Sequence, residues 1–159
     1  MYGAVPAWLP ALLSLSPWKA DTYEMLYFIF RADFLITKPV FDGHNVTVPT
    51  NQEDGKESIF WHLTTTGSPD GRLPDLRRAE RLPWIKPTLE NCRRFPAEVM
   101  VFSYREKRSI RVYIWLPTQG YVIILKRLGN GNHMLITAFY MEREHSQEKI
   151  RRKYVGRIK

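Results

Sequence analysis

This 159-residue sequence has little cysteine and lacks the usual patterns for metal or nucleotide binding. Its single cysteine, Cys92, cannot form an internal disulfide or a Cys-rich zinc site, and one free thiol suits a reducing cytoplasm. The four histidines have no metal-ligand spacing such as HExxH. No GxxxxGKS/T or GxGxxG pattern is present to hold a nucleotide. The sequence therefore predicts a cytoplasmic protein with no metal site and no cofactor.

The first 18 residues have no charged side chain, which raises the question of a membrane segment. Pro6, Pro10 and Pro17 interrupt this stretch, whereas a membrane-spanning helix needs about 20 apolar residues without a break. A secretory signal would need basic residues ahead of the apolar part. We therefore expect no membrane partner, and we interpret residues 1–24 as an N-terminal extension of one domain that spans residues 25–159.

Positive charge is concentrated in the second half of the chain. Residues 1–71 contain four Lys and Arg against eight Asp and Glu, a net charge of −4, whereas residues 72–159 contain 20 against 8, a net charge of +12. A surface that serves only solubility interleaves both signs. The asymmetry predicts that residues 72–159 contact a polyanion, and RNA is the first partner to consider.

The order of hydrophobic segments and turns predicts the α+β class. Four β-rich segments are separated by short turns, which make neighbouring strands antiparallel. These segments are 99–104, 110–116, 121–126 and 134–140. Residues 75–91, capped by Asp75, and residues 142–154 are typical of helices, while 24–31 and 33–38 suit either helix or strand. We therefore predict N-terminal helices packed on a four-stranded antiparallel meander, followed by a basic C-terminal helix.

The available basic, hydroxyl and aromatic groups fit the metal-free cleavage of RNA. In that reaction the ribose 2′-OH attacks the adjacent phosphate, which requires proton transfer and cationic donors for the phosphoryl oxygens. His62 suits the proton transfer because an unperturbed imidazole has a pKa of about 6.5. Arg78 and Arg81, one helical turn apart, suit a phosphate clamp.

Further contacts to nucleic acid are expected from side chains outside this group. Arg111 and Tyr113 are two residues apart on one predicted strand and therefore share a face. The expected nucleic-acid contacts are Lys86, Arg111, Tyr113 and Tyr140. The basic residues of segment 142–154 favour unspecific phosphate contacts over chemistry.

Three sequence segments together resemble a family of ribonucleases. They are Ile59-Phe-Trp-His-Leu63, Arg77-Arg-Ala-Glu-Arg81-Leu-Pro-Trp-Ile85 and Leu135-Ile-Thr-Ala-Phe139. Their order resembles the phage-type branch of the barnase/EndoU/colicin E5-D/RelE (BECR) superfamily, over roughly residues 40–145. That resemblance implies a small metal-independent ribonuclease used as a toxin or effector, with helices ahead of a four-stranded antiparallel sheet.

The resemblance also implies roles for individual residues. It makes His62 the acid or base, Arg78 or Arg81 the phosphate ligand, and Thr137 a hydroxyl contact to the scissile phosphate. In that branch a Lys or Arg commonly lies close to the histidine, whereas here Leu63-Thr-Thr-Thr66 follows it. Lys56 or Lys86 would then supply the cation.

Two other functions are compatible with the same sequence. One is an RNA-binding module without catalysis, in which a sheet face and the terminal helix hold RNA. The other is a small basic inhibitor or interaction protein that engages an acidic protein. A ribonuclease toxin would itself require an acidic antitoxin or immunity protein over the positively charged half.

Overall fold

A mixed sheet organises the computed structural model, which describes residues 4–159. The strand order is β1-β2-β10-β9-β8-β7, and every neighbouring pair is antiparallel except β2 and β10, which are parallel. The strands of this sheet are β1 Val40–Phe41, β2 His44–Thr47, β7 Met100–Glu106, β8 Ser109–Leu116, β9 Tyr121–Arg127 and β10 His133–Tyr140. Two further antiparallel pairs lie outside this sheet, and each of their strands is two residues long. They pair β3 Gln52–Glu53 with β4 Lys56–Glu57, and β5 Thr65–Thr66 with β6 Leu73–Pro74.

Helices flank both faces of the sheet. The α-helices are α1 Thr22–Phe30, α2 Ser58–Thr64, α3 Leu76–Ala79, α4 Ile85–Asn91 and α5 Glu144–Val155. Helix α1 continues into a π-helical turn, Arg31–Ile36, and short 3₁₀ turns occupy Pro69–Gly71 and Leu82–Trp84. The Asp75 side chain caps α3 by accepting a hydrogen bond from the backbone N–H of Arg78 at 3.1 Å.

Alternation along the strands gives the sheet two apolar faces. The core face carries Ile114, Ile123, Leu125 and Leu135, all fully buried against the helices that precede β7. The outer face carries a smaller cluster that includes Phe102, Tyr113, Trp115 and Val122, and this cluster packs on Ile150 of α5. Because α5 covers only part of the outer face, residues at one end of that face remain half-exposed.

Polar contacts fix α5 on the outer face. The Trp115 indole N–H donates to Gln147 Oε1 at 2.6 Å. Glu106 accepts a hydrogen bond of 2.5 Å from the Tyr113 hydroxyl and forms an ion pair with Lys153 of α5. These contacts hold the helix by both its first and last turns.

The N-terminal residues pack on the same core. Leu9 and Leu15 are buried in it, and the Trp84 indole N–H donates to the Pro10 oxygen at 2.9 Å. Residues 1–3 of the predicted extension lie outside the described residues. Within residues 4–159, no helix has the length and apolar character needed to cross a membrane.

The structure confirms the predicted α+β class, but its sheet is not the predicted four-stranded antiparallel meander, because it has six strands and one parallel pair. Segments 24–31 and 33–38 are helical, as α1 and the π-helical turn that follows it. The sheet has six strands because β1 and β2 join it through the first residues of β10, where His133 pairs with Val46. That pairing joins residues distant in the sequence, which local patterns do not report.

Candidate functional site

A cavity of about 490 Å³ lies where α2 and α3 approach β10. Its polar lining includes His62 from α2, Arg78 from α3, Thr65 from β5 and Arg72 from the loop that joins β5 to β6. Ile136 of β10 closes one side. We call this space the His62 cavity. It unites two residues that the sequence analysis had placed in different motifs.

Arg78 is the central side chain of the His62 cavity. Its Nη1 donates to the backbone oxygen of His62 at 2.9 Å and to that of Thr65 at 3.5 Å. Its Nε lies 3.3 Å from Asp75 Oδ2, in a half-buried ion pair. The guanidinium is therefore held in place by three oxygen atoms while one face remains in contact with the cavity.

The imidazole of His62 is exposed at the cavity mouth, and its environment favours the neutral ring. Partial burial, followed by the positive charge of Arg78, lowers the His62 pKa below its usual range, and Glu53 opposes this weakly. A neutral imidazole at pH 7 has a free nitrogen lone pair. His62 is accordingly suited to accept a proton.

Arg72 is a cavity residue that the sequence analysis missed. Its guanidinium pairs with Glu53 at 2.9 Å and Asp54 at 2.8 Å, and it lies over the Trp61 ring with 4.5 Å to the centroid. The residue lies in a segment whose composition predicts only a loop, so no local pattern marks it. Its charge is neutralised by two carboxylates, which leaves Arg78 and His62 as the main candidates for chemistry.

Thr137 belongs to the outer face of the sheet, next to the His62 cavity. A register shift between Leu135 and Thr137 in β10 leaves Ile136 unpaired with β9, and Ile136 lines the cavity. Thr137 and Phe139 share a face because they are two residues apart. The Arg78 guanidinium lies over the Phe139 ring at 5.8 Å, so it connects His62 with the face that carries Thr137.

Arg81 lies outside the cavity, although it is only one helical turn from Arg78. It is 7% exposed; its Nη1 donates to Glu80 Oε1 at 2.7 Å and to the Arg77 oxygen at 3.0 Å. The guanidinium stacks on the Tyr140 ring with 4.0 Å to the centroid. Buried Arg81 and half-buried Tyr140 therefore pack on each other, and of the two arginines in the predicted clamp only Arg78 lines the His62 cavity.

Lys86 and Tyr113, two expected nucleic-acid contacts, do not line the His62 cavity and instead contact other side chains of the protein. Lys86 Nζ donates to Thr37 Oγ1 at 2.7 Å, at the end of the π-helical turn. Tyr113 is 2% exposed and stacks on Phe102 with 5.1 Å between ring centroids. Burial and the hydrogen bond to Glu106 raise the Tyr113 pKa to about 12. Tyr113 therefore serves the docking of α5.

Arg111 lies in a second, strongly basic cavity of about 620 Å³, at the turn between β7 and β8. We call it the hairpin cavity. Its charged lining consists of Arg105, Lys107, Arg108, Arg111, Lys126, Arg127 and Glu106. Glu106 is already engaged by Lys153 and Tyr113, and in residues 4–159 none of the six cations has a carboxylate within ion-pair distance.

Among the described residues, neither the free cysteine nor a metal cluster adds a reactive centre. Burial raises the pKa of the Cys92 thiol to about 11, so the thiolate is scarce at neutral pH. Among the described residues, no three His, Cys, Asp or Glu side chains cluster so as to hold a metal ion. Comparison of the chain with protein-family models, curated proteins and solved structures gives no match.

Proposed function

We propose that this protein is a metal-independent endoribonuclease, of the kind that acts as a toxin or effector. The observation that carries the proposal is that His62 and Arg78 line one cavity, where the Arg78 guanidinium binds the backbone oxygen of His62 and also lies over the ring of Phe139, two residues from Thr137. The cavity thus holds a proton acceptor and a guanidinium, and the strand that closes it carries the hydroxyl of Thr137 one residue after Ile136. These groups meet the needs of phosphodiester cleavage without a metal.

The proposed reaction uses these groups in one displacement. His62 accepts the proton of the ribose 2′-OH as the 2′-oxygen bonds to phosphorus and the P–O5′ bond breaks. The 5′-oxygen leaves with a proton from solvent, and the products are a 2′,3′-cyclic phosphate and a 5′-OH. Arg78 donates to the phosphoryl oxygens as their charge develops, and Thr137 donates its hydroxyl to the same phosphate.

The hairpin cavity supports RNA as the substrate. Arg111 and Lys126 are direct cross-strand partners, and like charges in such positions repel each other. Lys107 adopts a φ of +54° at the turn, a conformation that favours glycine. Six cations that repel one another in the protein would be stabilised by binding the phosphate backbone of RNA.

Residues of β8, β9 and β10 on the outer face lie between the hairpin cavity and Thr137. Ile124 of β9 is the cross-strand partner of both Thr137 and Tyr113, and Lys126 follows two residues later on the same face. From strand spacing and rise, the Cα atoms of Thr137 and Arg111 are roughly 12 Å apart. One RNA strand can therefore contact the hairpin cavity while its scissile phosphate lies near Thr137.

A second candidate function is RNA binding without cleavage. The contacts of Arg78 with Asp75, His62 and Thr65 favour it, because these oxygen atoms already occupy much of its donor capacity. In that case the hairpin cavity would bind RNA and the His62 cavity would be structural. Cleavage assays separate the two functions.

The decisive experiment incubates RNA with the wild-type protein and with His62→Gln in excess EDTA. The wild type is expected to release fragments with 2′,3′-cyclic phosphate ends, and His62→Gln is expected to lose this activity. His145→Gln, which changes an exposed histidine on α5, is the matched control and keeps it. Intact RNA with the wild type, under conditions in which RNA binds, contradicts the nuclease and supports the binding module.

We further propose that an acidic antitoxin or immunity protein covers the hairpin cavity. Its carboxylates would occupy the positions of RNA phosphates, so the complex would form rapidly at low salt. Such a partner should inhibit RNA binding competitively. A partner that binds equally well to the Arg111→Gln/Lys126→Gln variant contradicts this placement.

A further inference from the structure

A third cavity contains two histidines that the proposed reaction does not use. It has a volume of about 430 Å³ and lies at the end of the core face, where β1, β2 and β10 meet. Its polar lining includes His44, His133, Arg93, Arg127, Arg157 and Asp42. We call it the His133 cavity; it shares no lining residue with the His62 cavity, and it shares Arg127 with the hairpin cavity.

His133 is a buried polar residue with unused hydrogen-bonding capacity. It is 7% exposed, and the ring packs edge-to-face on Phe41 with 5.0 Å between centroids. Its Nδ1 is buried and has no hydrogen-bond partner in the described structure. Buried polar atoms in proteins are nearly always paired, so an unpaired one in a cavity wall points to a bound group.

His44 lies on the same side of the sheet as His133. The parallel ladder pairs His133 with Val46, and His44 precedes Val46 by two residues. Strand spacing and rise put the Cα atoms of His44 and His133 roughly 8 Å apart. The ring of His44 lies close to the β9–β10 turn, since a Cβ on Gly131 would be 3.7 Å from its Cε1. The two imidazoles therefore border one small space.

Arg127 supplies a positive charge that no carboxylate neutralises. Its Nη2 donates to Ser103 Oγ at 3.1 Å, and in residues 4–159 it has no ion-pair partner. Asp42, the acidic residue of the lining, accepts two hydrogen bonds of 2.9 Å from Arg93. The Asp42–Arg93 ion pair has no net charge. Arg127 and Arg157 therefore give the lining of the cavity a net positive charge.

We propose that the His133 cavity binds a phosphate ester. Arg127 would bind two phosphate oxygens through its guanidinium, and the N–H groups of His44 and His133 would bind the others. A tetrahedral anion suits this arrangement because the donors come from three strands, β2, β9 and β10, that border one cavity. The site is independent of His62 and does not require that the chain cleave RNA.

Nuclear magnetic resonance of the imidazoles tests this site in the whole protein. Inorganic phosphate is added to protein with labelled histidine, and the four rings are assigned with single His→Gln variants. We expect saturable shifts of His44 and His133 that persist in His62→Gln, and an unchanged signal from the exposed His145. A nucleoside 3′-monophosphate and a dinucleoside monophosphate are then compared, which separates a phosphate monoester from a diester as the preferred ligand.

Variants of exposed residues keep the test independent of folding. Arg127→Gln is expected to weaken phosphate binding about tenfold, and His44→Gln should weaken it by a smaller factor. Arg143→Gln, a change of another exposed arginine, should leave binding unchanged. Equal binding by Arg127→Gln and the wild type, or equal unsaturable shifts of all four histidines, would overturn the proposal.

Failure of this proposal is distinguishable from failure of the nuclease proposal. His62→Gln should keep phosphate binding at the His133 cavity and lose RNA cleavage. If the protein cleaves RNA but the signals of His44 and His133 do not shift, only the phosphate-site proposal is contradicted. If these signals shift with phosphate but the protein never cleaves RNA, only the nuclease proposal is contradicted.

Discussion

The guanidinium of Arg78 donates a 2.9 Å hydrogen bond to the backbone oxygen of His62. These residues are 16 positions apart and belong to helices that meet beside the last strand of the sheet. The bond fixes the end of α2 against α3. It therefore makes the position of the proposed base depend on the proposed phosphate ligand.

Replacing Arg78 by lysine should reduce RNA cleavage on the order of 100-fold or more, because the ammonium keeps the charge but loses the planar fork. The thermal midpoint should fall by a few degrees only, because lysine can still pair with Asp75 but loses the guanidinium bonds to the His62 and Thr65 oxygens. Initial cleavage rates and thermal unfolding measure the two effects. Arg77→Lys, an exposed neighbour on the same helix, is the control and should retain full activity.

The double variant Arg111→Gln/Lys126→Gln should bind RNA more weakly without losing stability. For each phosphate that the variant no longer neutralises, the slope of log Kd against log salt should fall by about 0.7. Removing two repelling cross-strand cations should not lower the thermal midpoint. Fluorescence anisotropy across a salt series measures the slope, and Lys149→Gln/Arg152→Gln on α5 provides the charge-matched comparison.

Acidification should destabilise the protein as the pH falls below about 6.5. Burial and the neighbouring cation lower the pKa of His133, through Arg127, and that of His62, through Arg78. The folded protein therefore binds fewer protons than the unfolded chain between the unfolded and folded pKa values. Denaturant unfolding over this range should show the loss, which should be smaller in His62→Gln. An identical pH profile in that variant would contradict the assignment.

Glu106→Gln should destabilise the protein at neutral pH by about 1 kcal/mol, because it weakens the anchor of α5 at Lys153 and Tyr113. The hydrogen bonds from Lys153 and Tyr113 hold the pKa of Glu106 below its usual range. Its contribution is present above the unfolded pKa and is lost as the pH falls through the folded value. Glu148→Gln, which removes a surface pair with Arg151, should cost less than about 0.5 kcal/mol. Equal losses in the two variants would show that the anchor is no stronger than a surface pair.

Cys92 should react slowly with iodoacetamide in the native protein. The thiol is 2% exposed, and burial raises its pKa to about 11, so little thiolate exists near pH 8. Mass spectrometry should show rapid alkylation only after denaturant is added. Fast modification of the native protein would mean that α4 opens readily.

Several parts of the candidate site could be predicted from the local sequence. The Asp75 cap locates the start of α3, and Arg78 is the third residue of that one-turn helix. The spacing of Arg78 and Arg81, however, suggested a joint phosphate clamp. Arg81 instead packs against Tyr140 and pairs with Glu80, because the short helix gives way to a 3₁₀ turn that directs it to the interior.

The contributions of Arg72, Thr137 and His133 show why the remainder of the site required the fold. Arg72 reaches the His62 cavity from a loop, and its partners Glu53 and Asp54 belong to another hairpin. The register shift at Ile136 determines which face Thr137 occupies, since one extra residue in a strand reverses the orientation that alternation would give. His133 gains its surroundings from β1 and β2, which are some 90 residues away in the chain.

Sequence by itself determined the α+β class, the concentration of positive charge after residue 71 and the strand segments from residue 99 onward. These properties depend on composition and on alternation between neighbours, which act over a few residues. Only the tertiary structure decided that Arg78 contacts His62, that Arg81 and Tyr113 are buried, and that His44 and His133 share a cavity. Those outcomes depend on strand register and helix packing, because long-range contacts are selected by burial of the whole core.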